Sequence, residues 1–424
     1  MTLDTAWRHH QQEADQAAAD LRTTTTIRQR CGQLLDRARR GESAWFTVDE
    51  GAMDAAARAV ADVTHRRFPN GAVPFHSRWR HFEAGGVDRR KQLAELMQAK
   101  THVQQAHTLI DLAVVSVLLD AGAGDAWRYT EPATGQVYTR SEGLAVASFH
   151  AFTGGLFSSD KDHPLQADSE GLRALSTDHL ARVFQVGEAN PLLGLENRAV
   201  LLRRLGEVIA EQPETFGPDM LRPAGLYDMI LGFGGPDTPP TANVAAHDIL
   251  SHLLMSLAPI WPASNSIGGI PLGDCWRHAA VRGAGPTDGW VPFHKLTQWM
   301  TYSLLEPFLW SGCRVHGLEQ LTALPEYRNG GLLLDTGVLK LRDPAAAASV
   351  WQVGDEIVVE WRALTLALID ELAPRVRTAL RLDEQQLPLA AVLEGGTWQA
   401  GRELAQEARG GLPPLRVASD GTVF

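Results

Sequence analysis

Between Pro292 and Ser311 the chain runs without a glycine, through FHKLTQWMTYSLLEPFLW. That continuity predicts a helix, and its composition predicts a buried one. At about 3.6 residues per turn, Lys295, Gln298, Trp299, Tyr302 and Glu306 share one face, and Met300, Leu304 and Phe308 the opposite one. A surface helix sets one apolar stripe against one solvated face. Here the polar stripe is sparse, rich in aromatic residues and flanked by apolar ones. The expectation is a helix buried on most sides with polar groups turned into a cavity; a stripe facing water is the alternative. Pro292 suits a first helical turn, and Pro307 is expected to kink the helix or end it early.

The following stretch, LTALPEYRNGGLLLDTGVL, carries sharper chemistry. Pro325 predicts a second helix start, with Glu326 in its first turn, where the helix dipole favours a carboxylate. Arg328 is close enough in sequence to pair with that carboxylate. Gly330 and Gly331 remove side chains where something approaches the backbone. Asp335, inside an apolar run, is expected to be buried and therefore paired. An ionised carboxylate beside a pocket stabilises developing positive charge, such as that of an oxocarbenium ion. A purely structural Glu326–Arg328 ion pair fits these residue types equally well.

Two other stretches stand out. His76, Arg78, Arg80, His81, Arg89 and Arg90 make the most basic segment, interleaved with Phe75, Trp79 and Phe82. Clustered arginines suit phosphate or carboxylate, and a sugar phosphate can dock on such a loop; a solvated basic loop is the alternative. Further on, Asp274, Trp276 and His278 are packed between glycines. Asp274 and His278 can act as acid and base or hold a polar group by hydrogen bonds. The Asp-Cys-x-x-His spacing also suggests a metal. A structural zinc needs four ligands and no second cluster has ligand spacing, so neither metal nor cofactor is expected.

Composition narrows the function classes. The chain has 424 residues, a net charge of −11, 44% hydrophobic and 21% charged residues, and a pI near 5.8. Nucleic-acid binders usually carry a basic face, so no nucleic-acid partner is expected. Cys31, Cys275 and Cys313 are few and far apart, which gives no disulfide framework and fits a reducing cytoplasm. The polar start, MTLDTAWRHHQQEADQ, lacks a signal-peptide core. The longest apolar run, Leu112–Leu119, falls short of the roughly 20 residues that span a bilayer, so no membrane partner is expected.

Helical spacing recurs along the chain and strand signals are few. The fold class is therefore mainly α: one large helical unit over residues 1–424 with small β elements and a possible weak subdivision near 236–243. Residues 88–120 read as one long helix, WFTVDE as a short strand, and WRYTEPATGQVYTR as a hairpin. A phosphate-binding loop, a Rossmann fingerprint and an HExxH helix are all absent.

The segments VPFHKLTQW, LEPFLWSG and LTALPEYRNGGLLLDTGVL resemble the uracil-catabolism protein family of fungi and bacteria, long classed as a domain of unknown function. So do PFHSRWRHFEAGGVDR, LLDAGAGDAW, SEGLAVASF, HPLQ, GGIPLGDCWRH, LEGGTW and SDGTVF, from about residue 73 to the end. That resemblance implies action after ring opening of a uracil derivative, on ribosylurea. A fainter one is to the queuosine-nucleoside glycosylases of queuosine salvage, through F-H-K-x-x-Q, L-T-A-x-x-E-Y-R and a Gly-Val-Leu ending. It implies an all-helical fold related to helical DNA glycosylases, and N-glycosidic hydrolysis by an aspartate. Glu326 stands at that position here, one methylene longer, and Gly330-Gly331 stand where that family has Pro-Gln, offset by Asn329.

Together these readings point to an N-ribosyl hydrolase that cleaves ribosylurea or its 5-phosphate to urea and a ribose. Glu326, Asp335 and Asp274 are the candidate catalytic residues, with Asp335 expected to orient Arg328 or Glu326. Lys295, Gln298, Trp299 and Tyr302 are expected to line the cavity, with His294, Tyr327 and Arg328 beside them. The resemblance makes His76, Arg78, Arg80, His81 and Phe82 a substrate-facing loop, and Trp276 and His278 complete the contact set. A non-catalytic protein binding a uracil-derived ligand and a metal-dependent ureido amidohydrolase are the alternatives.

Overall fold

The computed structural model describes residues 3–219, 221–232, 242–261 and 265–418, with side chains described from residue 11 onward. Most of the tract at 236–243 and the SDGTVF end lie outside them. The protein is mainly helical, with strands gathered in two-stranded pairs. Its described residues divide into two compact units, each assembled from separate stretches: those of Met1–His76, Ala263–Gln298 and Leu318–Ala418 in the first, and those of Ser77–Pro262 and Trp299–Gly317 in the second.

The spine of the first unit is the helix Glu356–Leu380, almost wholly buried from Ile357 to Leu372, as expected of a helix apolar on most sides. It packs on Thr24–Arg39 and Met53–Arg67, two helices that bury one stripe each, Ile27, Cys31, Leu34 and Leu35 on the first and Ala56, Val60 and Val63 on the second. The helix Tyr327–Asp335 lies against Trp398–Arg409. Glycines permit that approach: a Cβ on Gly401 would sit 2.1 Å from the Arg328 carbonyl oxygen, and one on Gly330 would sit 2.6 Å from the Trp361 ring. The close approach expected at Gly330 is thus made by the protein's own tryptophan. The expected strand at WFTVDE is Phe46–Val48, paired antiparallel with Leu339–Leu341.

In the second unit, His102–Leu118 is buried from Ala106 onward and packs on Arg140–Thr153. The expected hairpin forms, with Tyr129–Thr130 antiparallel to Val137–Tyr138. The single helix expected over 88–120 is instead two, Arg89–Leu96 and His102–Leu118. Thr101 and Gln104 form a reciprocal capping box that starts the second, which satisfies two otherwise orphaned N–H groups.

The glycine-free stretch forms the helix Lys295–Trp310, and every residue from Leu296 to Phe308 is buried. Pro292 does not begin it. Pro292 ends a strand, Trp290–Pro292, facing Cys275 in an antiparallel pair. His294 follows with a left-handed φ of +49°. Pro307 lies in the last turn. Its missing N–H frees the Ser303 carbonyl one turn back, and that oxygen accepts from Trp79 Nε1 at 2.9 Å.

Candidate functional site

Glu326 is placed by its own helix. It is the residue before Tyr327–Asp335, in extended conformation, and its carboxylate accepts from the Arg328 N–H at 2.7 Å and the Asn329 N–H at 2.5 Å. Pro325 therefore precedes the cap and does not open the helix. The first-turn N–H groups of a helix have no partner within it, and a carboxylate there is favoured by the dipole. The Arg328 side chain turns elsewhere, donating from Nη1 to the Gly411 carbonyl at 3.1 Å and lying over the Tyr327 ring. The Glu326–Arg328 relationship is thus a cap on the backbone and not a side-chain ion pair.

The half-buried Glu326 carboxylate has an unusual electrostatic setting. Burial raises its pKa; the two N–H donors and the charges of Lys295 and His76 oppose this without cancelling it. The group is held above its ordinary value.

His76, which acts on Glu326 only electrostatically, pairs with a further carboxylate, Glu394, that the sequence did not single out. His76 Nδ1 lies 2.8 Å from Glu394 Oε2, and its backbone N–H donates to the Ala390 carbonyl at 2.8 Å. Glu394 also pairs with Arg67 Nη2 at 2.7 Å. Burial pushes the Glu394 pKa up, but His76 and Arg67 outweigh it and hold the group below its ordinary value. Glu326 is thus displaced upward and Glu394 downward. Glu394 belongs to a π-helical turn, Leu393–Thr397, joining Leu389–Val392 to Trp398–Arg409. Such turns are rare and often sit at functional sites. Here Gly396 is needed, because a Cβ would lie 2.4 Å from the Val60 carbonyl oxygen. The signal was present in LEGGTW, a lone acid before two glycines in an apolar run.

The remaining carboxylates of the predicted site are committed to other partners. Asp274 forms a bidentate pair with Arg362, at 2.8 and 2.7 Å, and accepts from Trp276 Nε1 at 2.8 Å and the Lys295 N–H at 2.9 Å. Burial raises its pKa, but Arg362 outweighs this and brings it to about 2. His278 faces a different acid, Glu360, at 3.1 Å, and accepts the Ala280 N–H at its other nitrogen. The acid–base pairing expected of Asp274 and His278 is therefore not formed. Asp335 forms a bidentate pair with Arg409, at 2.8 and 2.7 Å, and orients neither Arg328 nor Glu326. It ends the helix that Glu326 caps, about 13 Å away at 1.5 Å per residue. His294 Nε2 donates to the Leu21 carbonyl at 2.9 Å, and burial lowers the His294 pKa. With a carbonyl as partner, Nε2 is the donor.

In the second unit three of the four arginines of the basic segment are paired with carboxylates. Arg78 is fully buried and pairs with Asp120 at 2.8 Å, with Ser116 Oγ at 2.7 Å and His81 Nδ1 at 3.0 Å alongside. Arg80 pairs with Glu306 at 2.7 Å and Glu83 at 3.2 Å, and Arg89 is bidentate with Glu131. These three guanidinium groups already carry a counter-charge, and Arg90 lies over the Trp310 ring. His81 lies against the Trp299 ring, 5.8 Å between centroids; Phe82 packs on Trp79 and Phe149; Tyr302 is buried. A cleft of about 460 Å³ in this unit, lined by His150, Ser158, Glu170 and His179 among others, contains none of the predicted residues.

Among the described residues no group of three or more His, Cys, Asp or Glu side chains is gathered as a metal site would be. No helix among them is long and apolar enough to cross a membrane.

The whole chain has known relatives. It is 39% identical over 418 residues to Protein urg3 of Schizosaccharomyces pombe, covering 96% of this chain and 99% of that protein. It is 36% identical over 441 residues to Uracil catabolism protein 4 of Lachancea kluyveri, covering 97% and 99%. The family model described as "Protein of unknown function (DUF1688)" matches residues 20–424. The segments that carry the resemblance to the uracil-catabolism family thus lie in a match running nearly end to end, and the chain belongs to that family.

Proposed function

We propose that this protein acts in uracil catabolism as a cytoplasmic N-ribosyl hydrolase, cleaving ribosylurea to urea and ribose, with the whole chain serving as one functional domain and no cofactor. The carrying observation is Glu326: a carboxylate fixed by two backbone N–H groups, held above its ordinary pKa, with Lys295 and His76 as its electrostatic neighbours. The name of the Lachancea kluyveri relative, Uracil catabolism protein 4, supports the pathway. The substrate comes from the family resemblance.

In this reading the bond between C1′ and the urea nitrogen breaks first, leaving an oxocarbenium-like ribose. Ionised Glu326 stabilises that charge and takes a proton from the attacking water, whose oxygen bonds to C1′. The proton leaves with the urea nitrogen. Lys295 and His76 favour the ionised form of Glu326, and Glu394 acts as a positioning residue that fixes the His76 ring. The paired state of Arg78 and Arg80 favours the free riboside over its 5-phosphate.

The test is incubation with ribosylurea and with its 5-phosphate, with urea measured enzymatically. Urea release from the riboside supports the proposal. Folded protein that releases none from either compound removes it, and ligand stabilisation without release would indicate a binding protein instead.

A further inference from the structure

We infer that Gln298 reads an amide edge of the bound molecule, its carboxamide donating to a carbonyl and accepting from an adjacent N–H. The inference rests on the hydrolase reading only for the identity of the substrate. Its evidence is an unmet requirement of the fold.

Gln298 is 0% exposed, and among the described residues neither its Nε2 nor its Oε1 has a hydrogen-bond partner. Burying an amide without partners is costly, and the great majority of buried polar side-chain atoms are bonded. A methionine or leucine would fill similar space without that cost, so the unliganded fold gains nothing from a glutamine there. Gln298 follows Lys295 by three residues on the same helix, and residues three apart are neighbours on a helix surface. Lys295 is one of the two cations acting on Glu326.

A second amide, in the first turn of the helix that Glu326 caps, is also partly unmet. Asn329 is 1% exposed and donates its backbone N–H to Glu326 and its Nδ2 to the Leu324 carbonyl, while its Oδ1 has no partner. The elements bearing Glu326 and its neighbour Lys295 thus supply one free donor group and two free acceptors.

A carbonyl flanked by N–H groups matches this set: its oxygen accepts from Gln298 Nε2, one N–H donates to Gln298 Oε1, and another to Asn329 Oδ1. A urea or carboxamide presents those groups in that order. A vicinal diol can also occupy a carboxamide, as one hydroxyl donates and the other accepts, so the experiment must separate the two.

The experiment compares full-length wild type with Gln298→Met, and with Gln298→Leu as a second apolar replacement, by thermal melting alone and against ribosylurea or ribose. The ligand-free variants should melt above wild type. Their ribosylurea-induced shift should need at least tenfold more ligand, and any shift induced by ribose should be unchanged. Lower melting temperatures with an unaltered ribosylurea response would make Gln298 a structural amide and overturn the inference. Equal loss of the ribose response would assign it to the diol and overturn it as well, as would a wild type that ribosylurea does not stabilise. Wild type that is stabilised by ribosylurea in a Gln298-dependent way, yet releases no urea, supports this inference while removing the hydrolase reading.

Discussion

His76 Nδ1 lies 2.8 Å from Glu394 Oε2, and the same histidine is one of the two cationic neighbours acting on Glu326. The imidazole is hydrogen-bonded to Glu394 and acts on Glu326 only electrostatically. Glu394→Gln keeps size and hydrogen bonding but removes the charge that orients His76. The turnover number is expected to fall by roughly tenfold or more, since misplaced groups cost rate steeply, with less change in KM. Steady-state kinetics on ribosylurea check this; a change in KM alone would assign Glu394 to ground-state binding.

The pH dependence follows from the direction of the Glu326 shift. A carboxyl that must be ionised loses activity as pH falls through its own pKa. The acid limb of kcat should therefore lie above the ordinary glutamate value of about 4.3. Stability runs the opposite way. A carboxyl raised in the folded state contributes stability below its unfolded pKa, and that contribution is lost as pH rises through the folded value. Relative to wild type, Glu326→Gln should gain melting temperature between pH 4 and 7. A difference that stays flat across that range would contradict the raised pKa.

Asp274 carries the converse sign. Its folded pKa of about 2 means that the stability from its pairing is present above the unfolded value of about 3.9. It is lost as pH falls from there through about 2. Asp274→Asn leaves Arg362, 1% exposed at its side chain, without a counter-charge, and breaking a buried pair in this way costs about 3–5 kcal/mol. Denaturant unfolding should show that loss, and the variant should be less sensitive to acid than wild type over the same window. A loss under about 1 kcal/mol would indicate that Arg362 finds another partner.

Asp335 separates a fold role from a site role. With Arg409 as its bidentate partner, Asp335→Asn should lower stability by about 1 kcal/mol, the scale of a partly exposed pair. Turnover per folded molecule should stay within twofold of wild type. A large fall in kcat with unchanged melting temperature would return Asp335 to the catalytic set.

How much of this was legible in the sequence depended on range. The Lys295–Trp310 helix could be read because its signal is local: no glycine, and a 3.6-residue period of polar and apolar positions. Glu326 could be placed at a helix start for the same reason. The Thr101-x-x-Gln104 box was equally local, but the apolar run that follows it obscured the break. Partner choice was not legible. Nothing near Asp274 in sequence identifies Arg362, 88 residues away, and nothing near Asp335 identifies Arg409. The basic segment at 76–90 suggested an anion site because Asp120, Glu131 and Glu306, which pair with Arg78, Arg89 and Arg80, lie far along the chain. Pro292 satisfied a helix-start rule, yet pairing with Cys275 took it into a strand.

The most direct measurement is urea release from ribosylurea by wild type, Glu326→Gln and Glu326→Asp, with melting temperature taken on the same preparations. Wild type should turn over. Gln should lose roughly a hundredfold or more in kcat, as when other preorganised electrostatic groups are removed, with a much smaller change in ligand binding. Asp, the residue that the resemblance to the queuosine-nucleoside glycosylases puts at the matching position, should recover part of the rate. A folded Gln variant that releases urea at the wild-type rate would contradict a catalytic role for Glu326 and leave it as the cap of its own helix.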